Sequence, residues 1–280
     1  MKMKINPDRL FTDPQPDVLI PPCNETLFID SHGSRIYGRL HLPAFEDTDS
    51  TCPLVVMLHG YPGNERNFDI SQSLRMTGAA VLQFSYRGVW GSHGQYTFTH
   101  ILEDTEAVIA HMRHHAAEFR IDPDRIYLIG HSMGGFAAAN SMARGLKVSG
   151  AILMAPCNLA HKYLYDRPAF LTLMESQKGG YFHTPSDTFL EEETAANAEN
   201  WLFQNIASKL DASIPYGFIS GEKDLLTPAE DHVLPLLDKL KERGANVRYC
   251  HLNDGHDFPA SRIKLTRMLA QWLAEMDSGK

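Results

Sequence analysis

Short, almost wholly apolar runs recur along the chain, and the segments between them have apolar residues at helical spacing. Such runs, bounded by turn residues, are typical of strands buried on both faces of a parallel sheet. Upstream of them, Leu27–Asp30 and Arg35–Leu42 flank a turn-rich link, Ser31-His32-Gly33-Ser34, which predicts an antiparallel hairpin. Six runs are predicted as buried strands: Pro53–Leu58, Ala79–Ser85, Arg125–Ile129, Val148–Met154, Ile214–Ser220 and Val247–Leu252.

Helices are predicted between these strands. Ile101–Phe119 carries its apolar residues along one stripe, and Ser132–Arg144 is rich in small residues and is followed by Gly145, a usual helix stop. A third helix is expected from Pro228 to Arg243, with Pro235 kinking or restarting it, and Ile263–Met276 forms the last. Alternating strands and helices indicate βαβ units, so the predicted fold class is α/β with a mostly parallel sheet.

One interval, Cys157–Ala212, is too long for an ordinary connection. We expect it to be a small helical lid inserted into an α/β core. The predicted domains are an N-terminal extension (1–24), the core (25–156 and 213–280) and the lid (157–212). Eight aromatic residues in this interval fit the insertion's own core better than a substrate pocket: Tyr163, Tyr165, Phe170, Tyr181, Phe182, Phe189, Trp201 and Phe203.

Composition narrows the function classes. The chain of 280 residues is 43% hydrophobic and 21% charged, so it can bury a core, and its net charge of −8 disfavours binding to nucleic acids or anionic membranes.

The cysteines (Cys23, Cys52, Cys157 and Cys250) lie far apart, which predicts free thiols in a reducing cytoplasm. His111, His114 and His115 have helical spacing but no local partner that completes a metal site, so no metal is expected.

The strongest chemical signal is Gly130-His131-Ser132-Met133-Gly134. A predicted strand leads into it and a small-residue helix leads out, the setting that exposes a nucleophilic serine on a sharp turn. Glycines two residues on either side are needed because side chains there would collide across the turn. Ser132 is therefore the predicted nucleophile.

A serine hydroxyl needs a base and an orienting acid, which follow it in the order Asp or Glu, then His, in this architecture. His256 and Asp224 both follow predicted strands, where catalytic residues collect, and are assigned as base and acid. Glu222 is the rival acid. Four other residues are not assigned as base or acid. His131 adjoins Ser132 on a sharp turn, where neighbouring side chains diverge, and His59 is expected to be a structural hydrogen-bonding residue. Asp254 and Asp257 flank His256 too closely in sequence to lie behind its ring.

An oxyanion hole is predicted from two backbone amides. The loop His59-Gly60-Tyr61-Pro62-Gly63-Asn64 follows the strand Pro53–Leu58, and we assign the N–H of Tyr61 to the hole together with that of Met133, the residue after the nucleophile. Pro62 has no N–H to donate but fixes the loop.

Taken together, these motifs resemble the α/β-hydrolase superfamily, from about Pro53 to the C-terminal helix. The segment Ser85–Gly94 looks like the family's Arg-Gly-x-Gly-x-Ser-x-Gly loop with one extra residue, Val89 or Trp90. The chain is also similar to esterases and serine peptidases of the prolyl-oligopeptidase-like branch, but we expect no seven-bladed propeller of the kind that gates such peptidases. The resemblance implies roles for Ser132, Asp224, His256, Tyr61 and Met133 as assigned above. The elbow has no nucleophilic aspartate, which argues against dehalogenase or epoxide hydrolase activity.

The sequence therefore predicts a cofactor-free serine hydrolase acting on a small carboxylic ester through an acyl-enzyme. An aminopeptidase or acyl-peptide hydrolase is the first alternative, with Glu191–Glu193 as a conceivable anchor for a peptide amine. A non-catalytic binding protein on the same scaffold is the second. Arg87 is expected to brace its loop rather than meet a substrate carboxylate. Neither a nucleic-acid nor a membrane partner is expected, and a homo-oligomer is left open.

Overall fold

A single eight-stranded sheet organises the computed structural model, which describes residues 1–176 and 182–279. The strand order is β1-β2-β4-β3-β5-β6-β7-β8, and β1 and β2 run antiparallel to the rest. The strands are Cys23–Ser31 (β1), Ser34–Leu42 (β2), Cys52–Leu58 (β3), Ala80–Phe84 (β4), Ile121–His131 (β5), Gly150–Met154 (β6), Tyr216–Gly221 (β7) and Val247–Leu252 (β8). The predicted α/β class, the hairpin and the six strands are confirmed, but β8, at the edge of the sheet, is not a buried strand, since only its Leu252 is buried.

Burial explains why the apolar runs are strands. Every residue of β3, β4, β6 and β7 is buried, because helices cover both faces of the sheet. Strand β5 is longer than predicted. It begins at Ile121, which pairs with Cys52 before a register shift ahead of Leu54.

Helices fill the connections on both faces. They are Phe68–Met76 (α1), Phe98–His114 (α2), Met133–Ala143 (α3), Leu159–Tyr165 (α4), Arg167–Ser176 (α5), Phe189–Trp201 (α6), Phe203–Ile206 (α7), Ala229–His232 (α8), Leu234–Glu242 (α9) and Arg262–Ser278 (α10). Short 3-10 turns occur at Pro7–Arg9 and Ala207–Lys209. Of the described helices, none is long and apolar enough to span a bilayer.

One predicted helix ends early, one restarts beside its proline as expected, and one helix was missed. Helix α2 ends at His114 rather than Phe119, because the chain must turn to start β5 at Ile121. The helix predicted from Pro228 is interrupted at Val233, and the chain restarts as α9 with Pro235 in its first turn, where proline is tolerated. Helix α1 was not anticipated.

The segment between β6 and β7 is helical, and two groups of its described contacts fasten it to the stretch of chain from Val89 to Thr99. The N–H of Tyr96 donates to the carbonyl of His183 at 2.8 Å, and Val89 forms a β-bridge with Phe182. The buried carboxylate of Glu193 accepts hydrogen bonds from Phe98 N–H at 2.7 Å and Thr99 N–H at 2.8 Å. The second contact places a negative charge at the N-terminus of α2, where the helix dipole favours it.

A second polar cluster joins the two ends of the chain beside the start of β5. Arg125 Nε donates to Asp277 Oδ1 at 2.8 Å, and an Arg125 Nη donates to the carbonyl of Met3 at 2.7 Å. The hydroxyl of Tyr127 also donates to Asp277, at 3.0 Å. Helix α10 is thereby tied to the strand that leads to Ser132.

Because β3, β5, β7 and β8 are parallel, their carboxyl ends meet at one edge of the sheet. Loops that follow such ends form the crevice where open α/β sheets bind ligands. The segments that begin at His59, Ser132, Glu222 and Asn253 therefore share one rim.

Candidate active site

Ser132 stands on a sharp turn between β5 and α3. Its backbone has φ 56° and ψ −117°, a conformation that residues with a side chain rarely adopt. The surrounding chain holds it there, since its N–H donates to Met154 O and its carbonyl accepts from Gly135 N–H and Cys157 N–H, all at 2.9 Å. The predicted elbow has this geometry.

The glycines of the elbow are required by contact. A β-carbon at Gly130 would collide with the carbonyl oxygen of Gly134, and one at Gly134 would collide with that of Leu58. One at Gly135 would strike Pro156. The helix that carries the N–H of Met133 can therefore approach β3 and β5 closely only because these positions lack side chains.

Asp224 and His256 meet as the sequence predicts. Asp224 Oδ2 lies 2.8 Å from His256 Nδ1, and the Asp224 side chain is fully buried. Asp224 Oδ1 accepts from the N–H groups of Leu226 and Thr227, both at 2.9 Å. Burial by itself would raise the pKa of Asp224, but hydrogen bonding and charge interaction with His256, with help from Thr227, lower it to about 2. The acid is therefore ionised at neutral pH and held in one orientation.

Thr227 is a site residue that sequence reasoning missed. Its hydroxyl donates to Asp224 Oδ2 at 2.6 Å and lies 3.1 Å from His256 Nδ1. The signal in the sequence is the spacing of Asp224 and Thr227, since an aspartate often accepts hydrogen bonds from residues two and three positions ahead. Thr227 thus fixes the carboxylate that faces the imidazole.

The rival residues lie elsewhere. Glu222 is exposed, and among the described residues no hydrogen bond joins its carboxylate to His256. Asp254 accepts from the N–H of Gly255, and Asp257 lies 3.8 Å from His131 Nε2. None of these carboxylates takes the place of Asp224 beside Nδ1.

His131 packs against the predicted base. Its ring centroid is 5.0 Å from that of His256, and its Nε2 lies 3.0 Å from the carbonyl oxygen of His256. Burial lowers the pKa of His131 to about 3, so it is neutral and can donate from Nε2 to that carbonyl. His131 therefore positions the loop that carries His256.

His59 holds the loop after β3. Its Nδ1 lies 2.8 Å from the carbonyl oxygen of Gly60, and burial lowers its pKa to about 3. Gly63, at φ 90°, packs so closely on His59 and Trp90 that a β-carbon there would lie 2.8 Å from His59 Nδ1. The indole of Trp90 donates to the carbonyl of Pro62 at 2.9 Å. These contacts determine where the backbone of Tyr61 lies.

The two amides assigned to the oxyanion hole are free to donate. Across the described residues, neither the N–H of Tyr61 nor that of Met133 donates a hydrogen bond. A cavity of about 220 Å³ opens beside them, and its walls include Gly60, Tyr61, Ser132 and His256. The structure thus brings the predicted nucleophile, base and one oxyanion residue to the same cavity.

Arg87 is committed to the protein itself. It is buried, its Nε donates to Asp104 Oδ1 at 2.6 Å, and it also pairs with Glu103 at 2.5 Å. Asp104 further accepts from the hydroxyl of Ser31 at 2.6 Å. Arg87 braces its loop, as expected from the sequence.

The acidic run of the insertion is likewise engaged. Glu191 pairs with Arg167, Glu192 accepts from the hydroxyl of Thr188 at 2.7 Å, and Glu193 caps α2. The carboxylates therefore do not form a free anchor for a peptide amine.

Of the seven described aromatic residues of the insertion, three are buried and Tyr165 is exposed. Phe170, Trp201 and Phe203 are buried, and Trp201 lies edge-on against Phe136, with 5.3 Å between ring centroids. Phe182 differs, because its ring centroid is 4.7 Å from that of Tyr61 in the oxyanion loop. Tyr181 lies outside the described residues.

Within residues 1–176 and 182–279, one group has metal-ligating spacing. It comprises His131, His256 and Asp257, whose ligand atoms lie within 4.8 Å of one another. Both imidazoles of this group already take part in hydrogen bonds within the protein. The four cysteines are free thiols, and burial raises the pKa of Cys157 to about 12, so that this thiol near Ser132 is not a nucleophile.

Comparison with known proteins gives a family-level match. A sequence model described as the alpha/beta hydrolase family matches residues 55–273. Curated relatives are more distant. They include the uncharacterized protein YfhR of Salmonella typhimurium, 28% identical over 109 residues (39% of this chain and 36% of that one). The quorum-quenching protein AidA of Acinetobacter baumannii is 29% identical over 143 residues (49% and 45%). The matches span less than half the length of these relatives.

Solved structures share the fold at low identity. Brefeldin A esterase, described as a bacterial homologue of human hormone sensitive lipase, superposes with a TM-score of 0.70 at 19% identity, covering 95% of this chain and 80% of that one. Est1E from Butyrivibrio proteoclasticus gives 0.66 at 17% identity (90% and 98%). Puromycin hydrolase gives 0.70 at 20% identity (95% and 40%).

Proposed function

The chain belongs to the alpha/beta hydrolase family, and from this premise we propose that it is a serine hydrolase that cleaves carboxylic esters. The observation that carries the proposal is the strained Ser132 in the wall of a cavity that His256 also lines, with His256 Nδ1 2.8 Å from Asp224 Oδ2. Each part of this arrangement has a task in acyl transfer.

The first half-reaction forms an acyl-enzyme. His256 Nε2 takes the proton of the Ser132 hydroxyl as the oxygen attacks the ester carbonyl. Asp224 holds the ring with its proton on Nδ1 and stabilises the imidazolium, which then donates its proton to the departing alcohol. Because the pKa of Asp224 is about 2, the carboxylate stays ionised throughout.

The tetrahedral intermediate carries a negative charge on the former carbonyl oxygen. We assign its stabilisation to the unengaged N–H groups of Tyr61 and Met133. Loss of one such donor typically costs about 2.7–4 kcal/mol of transition-state stabilisation. In the second half-reaction, water activated by His256 attacks the acyl-enzyme and releases the acid.

Esters are favoured over peptides for two reasons. An alcohol is an easier leaving group than an amine, and the acidic run that could have anchored a peptide amine is engaged in internal contacts. Similarity of fold to esterases such as brefeldin A esterase and Est1E is consistent with this choice.

We also propose that the segment 157–212 acts as a lid, because Phe182 packs on the oxyanion loop.

A fluorophosphonate probe tests the proposal directly. The intact protein should be labelled, Ser132→Ala should not, and the exposed control Ser186→Ala should be labelled like the wild type. Absence of labelling in the intact protein would favour a binding protein on a hydrolase scaffold.

A panel of nitrophenyl esters and aminoacyl anilides then separates esterase from peptidase activity. Faster cleavage of the anilides than of the esters would mean that the protein is a peptidase.

A further inference from the structure

Three side chains in the wall of the cavity beside Ser132 have the composition of a metal site. His131, His256 and Asp257 all line this cavity of about 220 Å³. One ligand atom from each of the three residues lies within 4.8 Å of the other two, and no other group in the described part of the chain has such spacing. Two imidazoles and a carboxylate are a donor set that suits zinc.

His256 already makes the hydrogen bond that is typical of a metal-binding histidine. Its Nδ1 lies 2.8 Å from Asp224 Oδ2, and that buried carboxylate keeps the ring proton on Nδ1. Nε2 therefore has a free lone pair, and no described residue donates a hydrogen bond to it. A carboxylate behind a ligating imidazole fixes its tautomer and makes the ligating nitrogen more basic. The lone pair that would accept the proton of Ser132 is thus also prepared to bind a cation.

His131 can supply the second nitrogen through a change of tautomer. Its Nε2 lies 3.8 Å from Asp257 Oδ1 and 3.0 Å from the carbonyl oxygen of His256. Its Nδ1 is buried and has no hydrogen-bond partner among the described residues, so the ring proton can move there without displacing another group. Nε2 then gives up its hydrogen bond to the carbonyl and presents a lone pair to the ion.

Asp257 supplies negative charge and room for adjustment. Its side chain is 56% exposed, and the contact with His131 is the one described contact of its carboxylate. A tetrahedral zinc ion with bonds of about 2.0–2.2 Å keeps its ligand atoms roughly 3.3 Å apart. From a separation of at most 4.8 Å, the group must therefore contract by no more than about 1.5 Å. The exposed carboxylate can turn towards the rings, and the loop of His256 is released from His131 Nε2 when the ion binds.

We propose that His131, His256 and Asp257 form a binding site for a divalent transition-metal ion, Zn²⁺ above all, and that an ion bound there inhibits the hydrolase. The inference rests on the proposed function, because it takes His256 as the base that activates Ser132. An ion on His256 Nε2 occupies the lone pair that must accept the proton of the serine. Zinc binding and acyl transfer therefore exclude each other.

Zinc titration of the intact protein tests the site by two measurements. After treatment with EDTA and its removal, hydrolysis of 4-nitrophenyl acetate is followed against free Zn²⁺, and zinc binding is measured by competition with a chromophoric chelator. We expect Zn²⁺ to inhibit with the dissociation constant that the binding assay gives, and added EDTA to restore activity. Mg²⁺, which prefers oxygen ligands, should not inhibit.

Asp257→Asn removes one ligand and should raise the inhibitory zinc concentration about tenfold or more, since even the loss of an outer-shell partner weakens a metal site that much. Each rate is divided by the rate of the same variant in EDTA, so that a change in basal activity does not enter. The matched control Glu65→Gln removes a carboxylate that lines the same cavity but lies outside the group, and should keep the zinc sensitivity of the wild type. Equal sensitivity of Asp257→Asn and wild type would overturn the inference.

Labelling of Ser132 by a fluorophosphonate gives a readout that needs no ester turnover. Zinc that saturates the wild type should slow its labelling about tenfold or more, because the serine is a weak nucleophile without its base. The same zinc concentration should slow labelling of Asp257→Asn much less.

The outcomes separate the metal site from the proposed function. Ester hydrolysis that Zn²⁺ does not inhibit would overturn the inference and leave the esterase function intact. Zinc binding that Asp257→Asn weakens, in a protein that hydrolyses no ester, would support the metal site and contradict the proposed function.

Discussion

Gly60 packs directly against Ser132, so that a β-carbon at position 60 would lie 2.9 Å from the β-carbon of Ser132 and 3.5 Å from its hydroxyl oxygen. The same β-carbon would lie 3.3 Å from the carbonyl oxygen of His131. The oxyanion loop and the nucleophile therefore touch without space for a methyl group. This contact gives the first prediction.

Gly60→Ala should lower kcat/KM for small esters by about 100-fold or more, because the methyl group must displace either Ser132 or the loop that carries the Tyr61 N–H. Esterase kinetics and circular dichroism measure activity and fold. Gly255→Ala is the matched control, since a β-carbon there meets no atom within 4 Å. Wild-type activity in Gly60→Ala would show that the oxyanion loop is placed differently during catalysis.

Asp224→Asn should lower kcat by roughly 10⁴-fold while the protein stays folded. The amide N–H would donate to Nδ1 and hold the imidazole in the wrong tautomer, with its proton on Nε2. Nε2 would then have no lone pair to accept the proton of Ser132. Glu222→Gln, which neutralises the exposed rival acid, should leave kcat close to that of the wild type. A large loss of kcat in Glu222→Gln and a small one in Asp224→Asn would mean that Glu222, and not Asp224, is the catalytic acid.

The acidity of Asp224 predicts a dependence of stability on pH. Its pKa is about 2 in the fold and 3.8 ordinarily, so on acidification the unfolded chain takes up this proton first. The contribution of Asp224 to the free energy of unfolding is thus complete above about pH 4 and is lost as pH falls towards 2. Urea unfolding measures this, and the stability gap between wild type and Asp224→Asn should narrow across that window. A gap that does not change with pH would contradict the assignment.

Glu193→Gln should lower the free energy of unfolding by about 1–2 kcal/mol, because it removes a negative charge from the N-terminus of α2 and weakens two hydrogen bonds. Its kcat on small esters should change little. Glu192→Gln is the control, since its carboxylate is exposed and bonds only to Thr188 among the described residues. Thermal and urea unfolding give the comparison, and equal stabilities of the two variants would refute the capping role.

The strands and the elbow could be predicted because their signals are local. Fully buried parallel strands must be apolar along their whole length, as β3 and β6 are, and the elbow needs glycines at fixed spacing. Helix α1 was missed because it buries only Ile70, Ser71 and Leu74, and its N-cap residue Asn67 makes no side-chain cap. Its apolar stripe is short, with Ile70 and Leu74 one turn apart, and no capping signal marks its start.

Other site features depend on contacts between distant positions and could not be predicted. Glu193 reaches Phe98 across 95 residues of chain, so the sequence alone suggested a peptide anchor for its run and not a helix cap.

The tie between Arg125 and Asp277 makes the last residues of the chain part of the support for the nucleophile. Arg125 lies on β5, the same strand that ends at Ser132, and only Asp277 and the Met3 carbonyl accept its described hydrogen bonds. Loss of Asp277 would leave this half-buried guanidinium with only the more distant carboxylate of Asp122, 3.9 Å away. Disruption of the last turn of α10 would therefore weaken the support of the strand that ends at the elbow.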